Sequence, residues 1–151
     1  MCSSDLDRLA LDRAAGTTVA LFAAVLDLPQ RTLTYIATGG AHAFLVLPTT
    51  PPTIEPLAGP APALGSAPGM ELRRTLRPLT QELGRSDLVL IPTGGMRDQG
   101  GDEAAARARL LDGWQRRMAR PLSHVVDGMV EDARLARPPA RDLTLVALRS
   151  R

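Results

Sequence analysis

The run Ser86–Met96 constrains the fold of this chain more than any other segment, because it joins a continuous apolar stretch to a glycine turn. Residues 87–91 show no alternation of polar and apolar side chains, and short continuous apolar runs are typical of strands buried on both faces. The run then stops at Thr93-Gly94-Gly95. A strand that ends in such a turn presents the next residues at the rim of its sheet, where metal- and phosphate-binding groups are often found. The sequence therefore predicts a central strand here and a candidate site directly after it.

Length and composition indicate one globular domain, which we place at 1–151. A chain of 151 residues buries about two-thirds of its unfolded surface, and a hydrophobic fraction of 44% is ordinary for a folded protein. The net charge is only +2, with arginine and acidic residues mixed along the chain, so we expect no nucleic-acid partner. All 18 basic residues are arginine, and this bias, with 13 prolines, is typical of a GC-rich genome rather than of a specific arginine chemistry.

Cysteine usage and hydropathy bear on location. Cys2 is the single cysteine, so the chain has no internal disulfide and no cysteine-based metal cluster, and a reducing cytoplasmic setting is the default. We find no apolar run of 18 residues and no signal-peptide pattern, and we therefore expect no membrane association.

The first half of the chain predicts a helix followed by strands. A helix is expected over residues 3–15, and strands over 17–28 and 31–37 are joined by a hairpin turn at 27–30. A third strand at 43–47 is expected to complete a meander. The proline-rich segment at about 48–69 reads as a surface loop or edge connection, with a polyproline II docking ligand as the alternative.

The second half predicts two strands, two helices and a closing strand. Alternation of side chains favours a strand at Met70–Leu76. Asp102 is a candidate N-cap for a helix whose apolar stripe includes Trp114 and Met118. Pro121 ends that helix and begins the next. A last strand is expected at 143–148, after a loop at 137–140. Hairpin-linked strands followed by a helical pair indicate an α+β fold in which helices flank antiparallel sheets.

Other chemistry-bearing residues favour structural roles. His42 and His124 are the only histidines and have no metal-ligand spacing. Asp98 and Asp102 are close enough in sequence to recruit a metal from a loop, but turn and helix-cap roles explain them more simply.

Several short sequence motifs occur in an order that resembles that of a known protein family. They are Ala20–Asp27 with Leu33–Tyr35, Ala37–Gly40, Ala63–Gly65, Ser86–Leu90 with Thr93–Gly95, and Arg141–Val146. In this order they resemble the SpoIIE-like branch of the PPM-type (protein phosphatase 2C-like) serine/threonine phosphatases, over roughly residues 5–149. The resemblance implies an α-β-β-α sandwich, here N-terminally incomplete.

The resemblance also implies a reaction: hydrolysis of phosphoserine or phosphothreonine by water held between two Mn²⁺ or Mg²⁺ ions. Hard divalent cations need oxygen ligands, which the family takes from aspartates. One lies in an early Asp-Val-x-Gly-His-Gly-like motif, one in Thr-Asp-Gly, and one is the first residue of the closing Asp-Asp.

This chain departs from the family pattern at all three ligand positions. The early motif has no counterpart, Gly94 stands at the second position and Arg141 at the third, while Asp142 matches the neighbouring residue. Gly40 stands where the family often has histidine. We therefore assign no catalytic or metal-binding residue and expect no bound manganese or magnesium. The candidate cleft residues are Thr93, Gly94, Gly95, Asp98, Arg141 and Asp142.

Arg141 admits three interpretations. It is a solvated loop residue, a cation that replaces the metal beside Asp142 or Asp98, or a group that holds an anion on a partner.

Two functions remain open from the sequence. One is a SpoIIE-like phosphatase domain acting on phosphorylated regulatory proteins, such as an anti-sigma factor antagonist, with its metal site eroded or supplied elsewhere. The other is a non-catalytic protein-binding module, a pseudophosphatase in bacterial signal transduction.

Overall fold

The computed structural model describes residues 18–40, 43–66, 69–97, 102–136 and 142–150. These residues form two compact units, one from residues 18–40, 56–66 and 69–83 and the other from the remainder. The elements in chain order are β1 (Leu21–Asp27), β2 (Thr32–Thr38), β3 (Phe44–Leu47), β4 (Thr53–Pro56), α1 (Gly69–Thr75), β5 (Leu79–Glu82), β6 (Leu88–Pro92), α2 (Gly94–Arg97), α3 (Glu103–Gln115), α4 (Leu122–Ala136) and β7 (Leu145–Arg149). The helix expected at 3–15 and the loop at 137–140 lie outside the described residues.

The first unit contains an antiparallel sheet in the order β1-β2-β5. The β1–β2 hairpin is confirmed, and its turn is fixed by a 2.9 Å hydrogen bond from the Gln30 amide to Asp27 Oδ1. The alternation of β2 is confirmed as well, because Leu33, Tyr35 and Ala37 are all buried. Desolvation by burial raises the pKa of the Tyr35 phenol above its ordinary value.

The proline-rich segment returns to the first sheet after β4. The Gly39 amide donates to the Ala61 carbonyl at 3.0 Å, and Leu57 and Ala61 are buried. Gly59 passes so close to the Ala37 carbonyl oxygen that a Cβ there would collide with it. The segment therefore contributes to the core as well as connecting strands.

The strand predicted at Met70–Leu76 is wrong, because these residues form α1 instead. Leu72 is buried while Met70 is 70% exposed, which a strand with both on one face does not allow. Leu72 and Leu76 are spaced by one helical turn, and the Leu76 amide donates to the Leu72 carbonyl at 2.8 Å. The strand of this region is β5, which pairs with β2 and was not predicted.

The second unit contains an antiparallel sheet in the order β4-β3-β6-β7. As predicted, β6 is central, with Leu88, Val89 and Leu90 at most 1% exposed. The predicted meander is wrong, since β3 pairs with β6 rather than with β2. Two consecutive glycines with positive φ, Gly39 at 71° and Gly40 at 106°, separate β2 from β3 in the sequence.

Proline content agrees with the position of β4. This short strand is at the edge of its sheet and ends at Pro56, where a missing N–H costs no central ladder bond.

Two helices pack in the second unit. Asp102 caps α3 as predicted, its Oδ1 accepting from the Ala105 amide at 2.9 Å. Leu110 and Trp114 of α3 are buried, but Met118 lies beyond the helix end and is 53% exposed, so that part of the predicted stripe is wrong. Helix α4 contacts both α3 and β7. Among the described helices, none has the length and hydropathy to cross a membrane.

Candidate functional site at the β6–β7 edge

Thr93 joins the end of β6 to the start of β7. Its amide donates to the Thr144 carbonyl at 2.9 Å, and its Oγ1 accepts from the Thr144 amide at 2.9 Å. The same hydroxyl donates to the Asp142 carbonyl at 3.1 Å. One threonine side chain thus connects two segments that lie about 50 positions apart in the sequence.

The glycine turn after β6 is helical rather than an open loop. Gly94–Arg97 forms the single turn α2, and the Met96 amide donates to the Thr93 carbonyl at 3.0 Å. Gly94 is exposed, whereas Gly95 and Met96 are buried. The glycine turn predicted after this strand is therefore a single turn of helix.

The structure brings together four of the predicted cleft residues: Thr93, Gly94, Gly95 and Asp142. Thr93 and Gly94 are consecutive, and the Thr93 hydroxyl reaches the Asp142 backbone, whose residue is exposed. Asp98 and Arg141 lie outside the described residues. Gly95 follows in the same turn, with its backbone buried.

The other acidic residues near this segment have structural roles. Asp87 is 6% exposed, precedes β6 and accepts from the Gly84 amide at 2.7 Å through Oδ2. The five residues of β6 separate it from Thr93, and the six steps of extended chain between them span roughly 20 Å. Asp102 is occupied as the cap of α3.

The donor set at this edge does not fit a pair of divalent cations. Among the described residues, no three His, Cys, Asp or Glu side chains are grouped to hold a metal, and the contact of Thr93 with Asp142 is to its backbone carbonyl. A Mg²⁺ or Mn²⁺ pair needs several oxygen ligands arranged around both ions. What the described residues show at this edge is a backbone junction held by the Thr93 hydroxyl.

A second feature was missed by the sequence analysis. Arg116, Arg117, Arg120 and His124 line a shallow pocket between the end of α3 and the first turn of α4, which we call the basic pocket. The signal was the Gln-Arg-Arg-Met-Ala-Arg-Pro run at 115–121, but the pattern alone did not show that these side chains converge.

Comparison with known proteins decides the family. The sequence matches the family described as Stage II sporulation protein E (SpoIIE) over residues 3–151. The chain belongs to the SpoIIE family. A search of curated proteins finds no match.

Solved structures with the same fold are PP2C phosphatase domains. The RsbU and RsbW domains of a Mycobacterium tuberculosis protein match with a TM-score of 0.72 and 21% identity, over 95% of this chain and 40% of that chain. The SiaA-PP2C domain of Pseudomonas aeruginosa matches with a TM-score of 0.65 and 19% identity, over 97% of this chain and 58% of that chain. The catalytic domain of the phosphatase PstP, in complex with two manganese ions, matches with a TM-score of 0.59 and 14% identity, over 99% of this chain and 81% of that chain.

These likenesses confirm the predicted fold class. The SpoIIE-family chain has an α+β fold of antiparallel sheets with helices, as PP2C phosphatases do. It spans less than two-thirds of the first two matched chains.

Proposed function

We propose that this chain is a SpoIIE-type, PP2C-like domain that binds phosphorylated regulatory proteins and does not hydrolyse them on its own. The observation that supports the proposal is the composition of the β6–β7 edge. Gly94, which has no side chain, follows Thr93 at the position where the family resemblance implies a metal-ligating aspartate. The junction between Thr93 and the Asp142 backbone remains intact.

The partner in this proposal is a regulatory protein phosphorylated on serine or threonine, of the anti-sigma factor antagonist type. One structural relative carries RsbU and RsbW domains, and another is the phosphatase domain of the cell fate determinant SpoIIE from Bacillus subtilis. As part of the same proposal we place the protein in the bacterial cytoplasm, because a single cysteine is ordinary for a reducing compartment.

A second candidate is a catalytic serine/threonine phosphatase whose metal ligands are supplied by residues outside this chain. The match over 149 consecutive positions, residues 3–151, favours it, since family membership extends over the whole chain. The two candidates differ in whether residues outside this chain complete a working metal site, and neither of them expects turnover by this chain alone.

The test is a turnover assay with the purified full chain. Hydrolysis of p-nitrophenyl phosphate and of phosphoserine peptides is measured with added Mn²⁺, beside a heat-denatured sample and the PstP catalytic domain as a positive control. We expect the chain to match the denatured sample while PstP is active. Manganese-dependent turnover by this chain would refute the non-catalytic proposal.

A further inference from the structure

The basic pocket collects cationic side chains from the connection that follows α3 and from α4. Arg116, Arg117 and Arg120 come from that connection, and His124 comes from the first turn of α4. Its volume is about 380 Å³. That volume lies within the range of roughly 300–1,000 Å³ that is usual for ligand pockets.

Arg117 is held in place by three features of α3 and α4. Its Nη1 donates to the Gly113 carbonyl at 3.0 Å, and its Nη2 donates to Asp132 Oδ1 at 2.8 Å. The guanidinium packs against α4 at Gly128, where a Cβ would collide with the Arg117 side chain in its present position. The side chain is 21% exposed, and its remaining N–H groups are fixed in position.

Acidic partners compensate some of the charge in the pocket, but not all of it. Arg116 Nη2 lies 3.0 Å from Asp112 Oδ2 and 2.9 Å from Asp132 Oδ2. Two carboxylates therefore face three guanidiniums. Within the described part of the chain, the side chains of Arg120 and His124 have no hydrogen-bond or ion-pair partner, and both are exposed. Asp127, the next acidic residue on α4, does not line the pocket.

We propose that the basic pocket binds the phosphate group of a phosphorylated serine or threonine on a partner protein, an inference that rests on the proposed function. Guanidinium groups match phosphate through paired, charge-assisted hydrogen bonds, and arginine clusters are a recurring mode of phosphopeptide recognition. Arg116 and Arg117 are oriented in advance by their acidic partners, while Arg120 supplies the uncompensated charge. A pre-organised site of this kind loses less entropy when it binds.

Binding of phosphopeptides tests the pocket. Fluorescence anisotropy measures binding of the full chain to labelled phosphoserine peptides and to the same peptides without phosphate. We expect a preference for the phosphorylated form, competition by inorganic phosphate, and affinity about tenfold weaker in Arg120→Gln, the loss expected for one charge-assisted bond.

Arg134→Gln is the matched control, because it removes the same charge from an exposed arginine of α4 that does not line the pocket. We expect it to leave the affinity within about twofold of wild type, since exposed charges contribute little. Gly128→Ala, which displaces Arg117, is a second variant and is expected to weaken binding as Arg120→Gln does.

The outcomes separate this inference from the proposed function. Equal losses in Arg120→Gln and Arg134→Gln, or no preference for phosphate, would overturn the pocket assignment. Phosphopeptide binding that is insensitive to Arg120 would overturn the pocket but leave the proposed function standing. Peptide hydrolysis by the wild-type chain would overturn the proposed function, while the dependence of binding on Arg120 would still decide the pocket.

Discussion

Replacing Gly128 by alanine is expected to destabilise the protein, although the same change stabilises most helices. An alanine in a helix interior is favoured over glycine by about 1 kcal/mol. Here the added Cβ displaces the Arg117 side chain and breaks its bonds to Gly113 and Asp132.

The magnitude follows from how exposed these groups are. A charge-assisted hydrogen bond contributes about 1.5–3 kcal/mol when buried. The Arg117 and Asp132 side chains are 21% and 33% exposed, and Asp132 keeps its bond to Arg116. We therefore assign about 1.5–2 kcal/mol to the displaced contacts together, after discounting for solvent screening. The expected net loss for Gly128→Ala is about 0.5–1 kcal/mol.

Removing Arg117 reverses the sign of the stability change expected for Gly128→Ala. In an Arg117→Ala background the three atoms nearest to a Cβ at residue 128 are gone, so Gly128→Ala is expected to stabilise by about 1 kcal/mol. Urea denaturation followed by Trp114 fluorescence measures all four proteins, since Trp114 is the single tryptophan and is 3% exposed. Additive effects, with Gly128→Ala stabilising the wild-type background as well, would refute the packing of Arg117 against α4.

Three further predictions concern single side chains. Thr93→Val should lower the free energy of unfolding by about 1 kcal/mol, because the hydrogen bonds of its hydroxyl group are lost. The control Thr144→Val should change the free energy of unfolding by less than about 0.5 kcal/mol. Equal effects of the two substitutions would contradict the junction at Thr93. Asp102→Ala should cost about 1 kcal/mol and Asp102→Asn much less, because asparagine also caps; urea denaturation distinguishes them. Phenolate absorbance of Tyr35, the only tyrosine, should appear at higher pH in the folded than in the unfolded chain. Burial of the neutral phenol therefore contributes to stability in full below about pH 10, and this contribution is lost as pH rises through the raised pKa. Coincident titrations of the folded and unfolded chains would contradict its burial.

Local patterns in the sequence predicted the elements whose burial is decided by their own residues. Alternation at Leu33, Tyr35 and Ala37 fixed the buried face of β2, and the continuous apolar run fixed β6 as a central strand. The cap at Asp102 was predictable because capping involves only the first helical turn.

Pairing and short ambiguous segments were not predictable in this way. Strand β3 joins β6 across more than 40 positions, and nothing in either strand indicates that partner. The spacing of Leu72 and Leu76 fits both a strand and a helix, and α1 is too short for the helical period to dominate. Strand β5 is largely polar, so it carries no apolar alternation.

The candidate site was predictable in part from the sequence motifs that resemble the family. They placed Thr93, Gly94 and Asp142 in one neighbourhood, and the Thr93 hydroxyl bonds join those segments. The basic pocket was not predictable, because it depends on Gly128 admitting Arg117 where α3 and α4 pack.

The central proposal is that this chain lacks the carboxylates needed to assemble a pair of metal ions, and manganese binding tests it most directly. Isothermal titration calorimetry of the full chain with MnCl₂ is the measurement. Because the β6–β7 edge has Gly94 in place of a carboxylate, we predict no saturable binding at micromolar manganese. Saturable micromolar binding of two ions per chain would contradict the account.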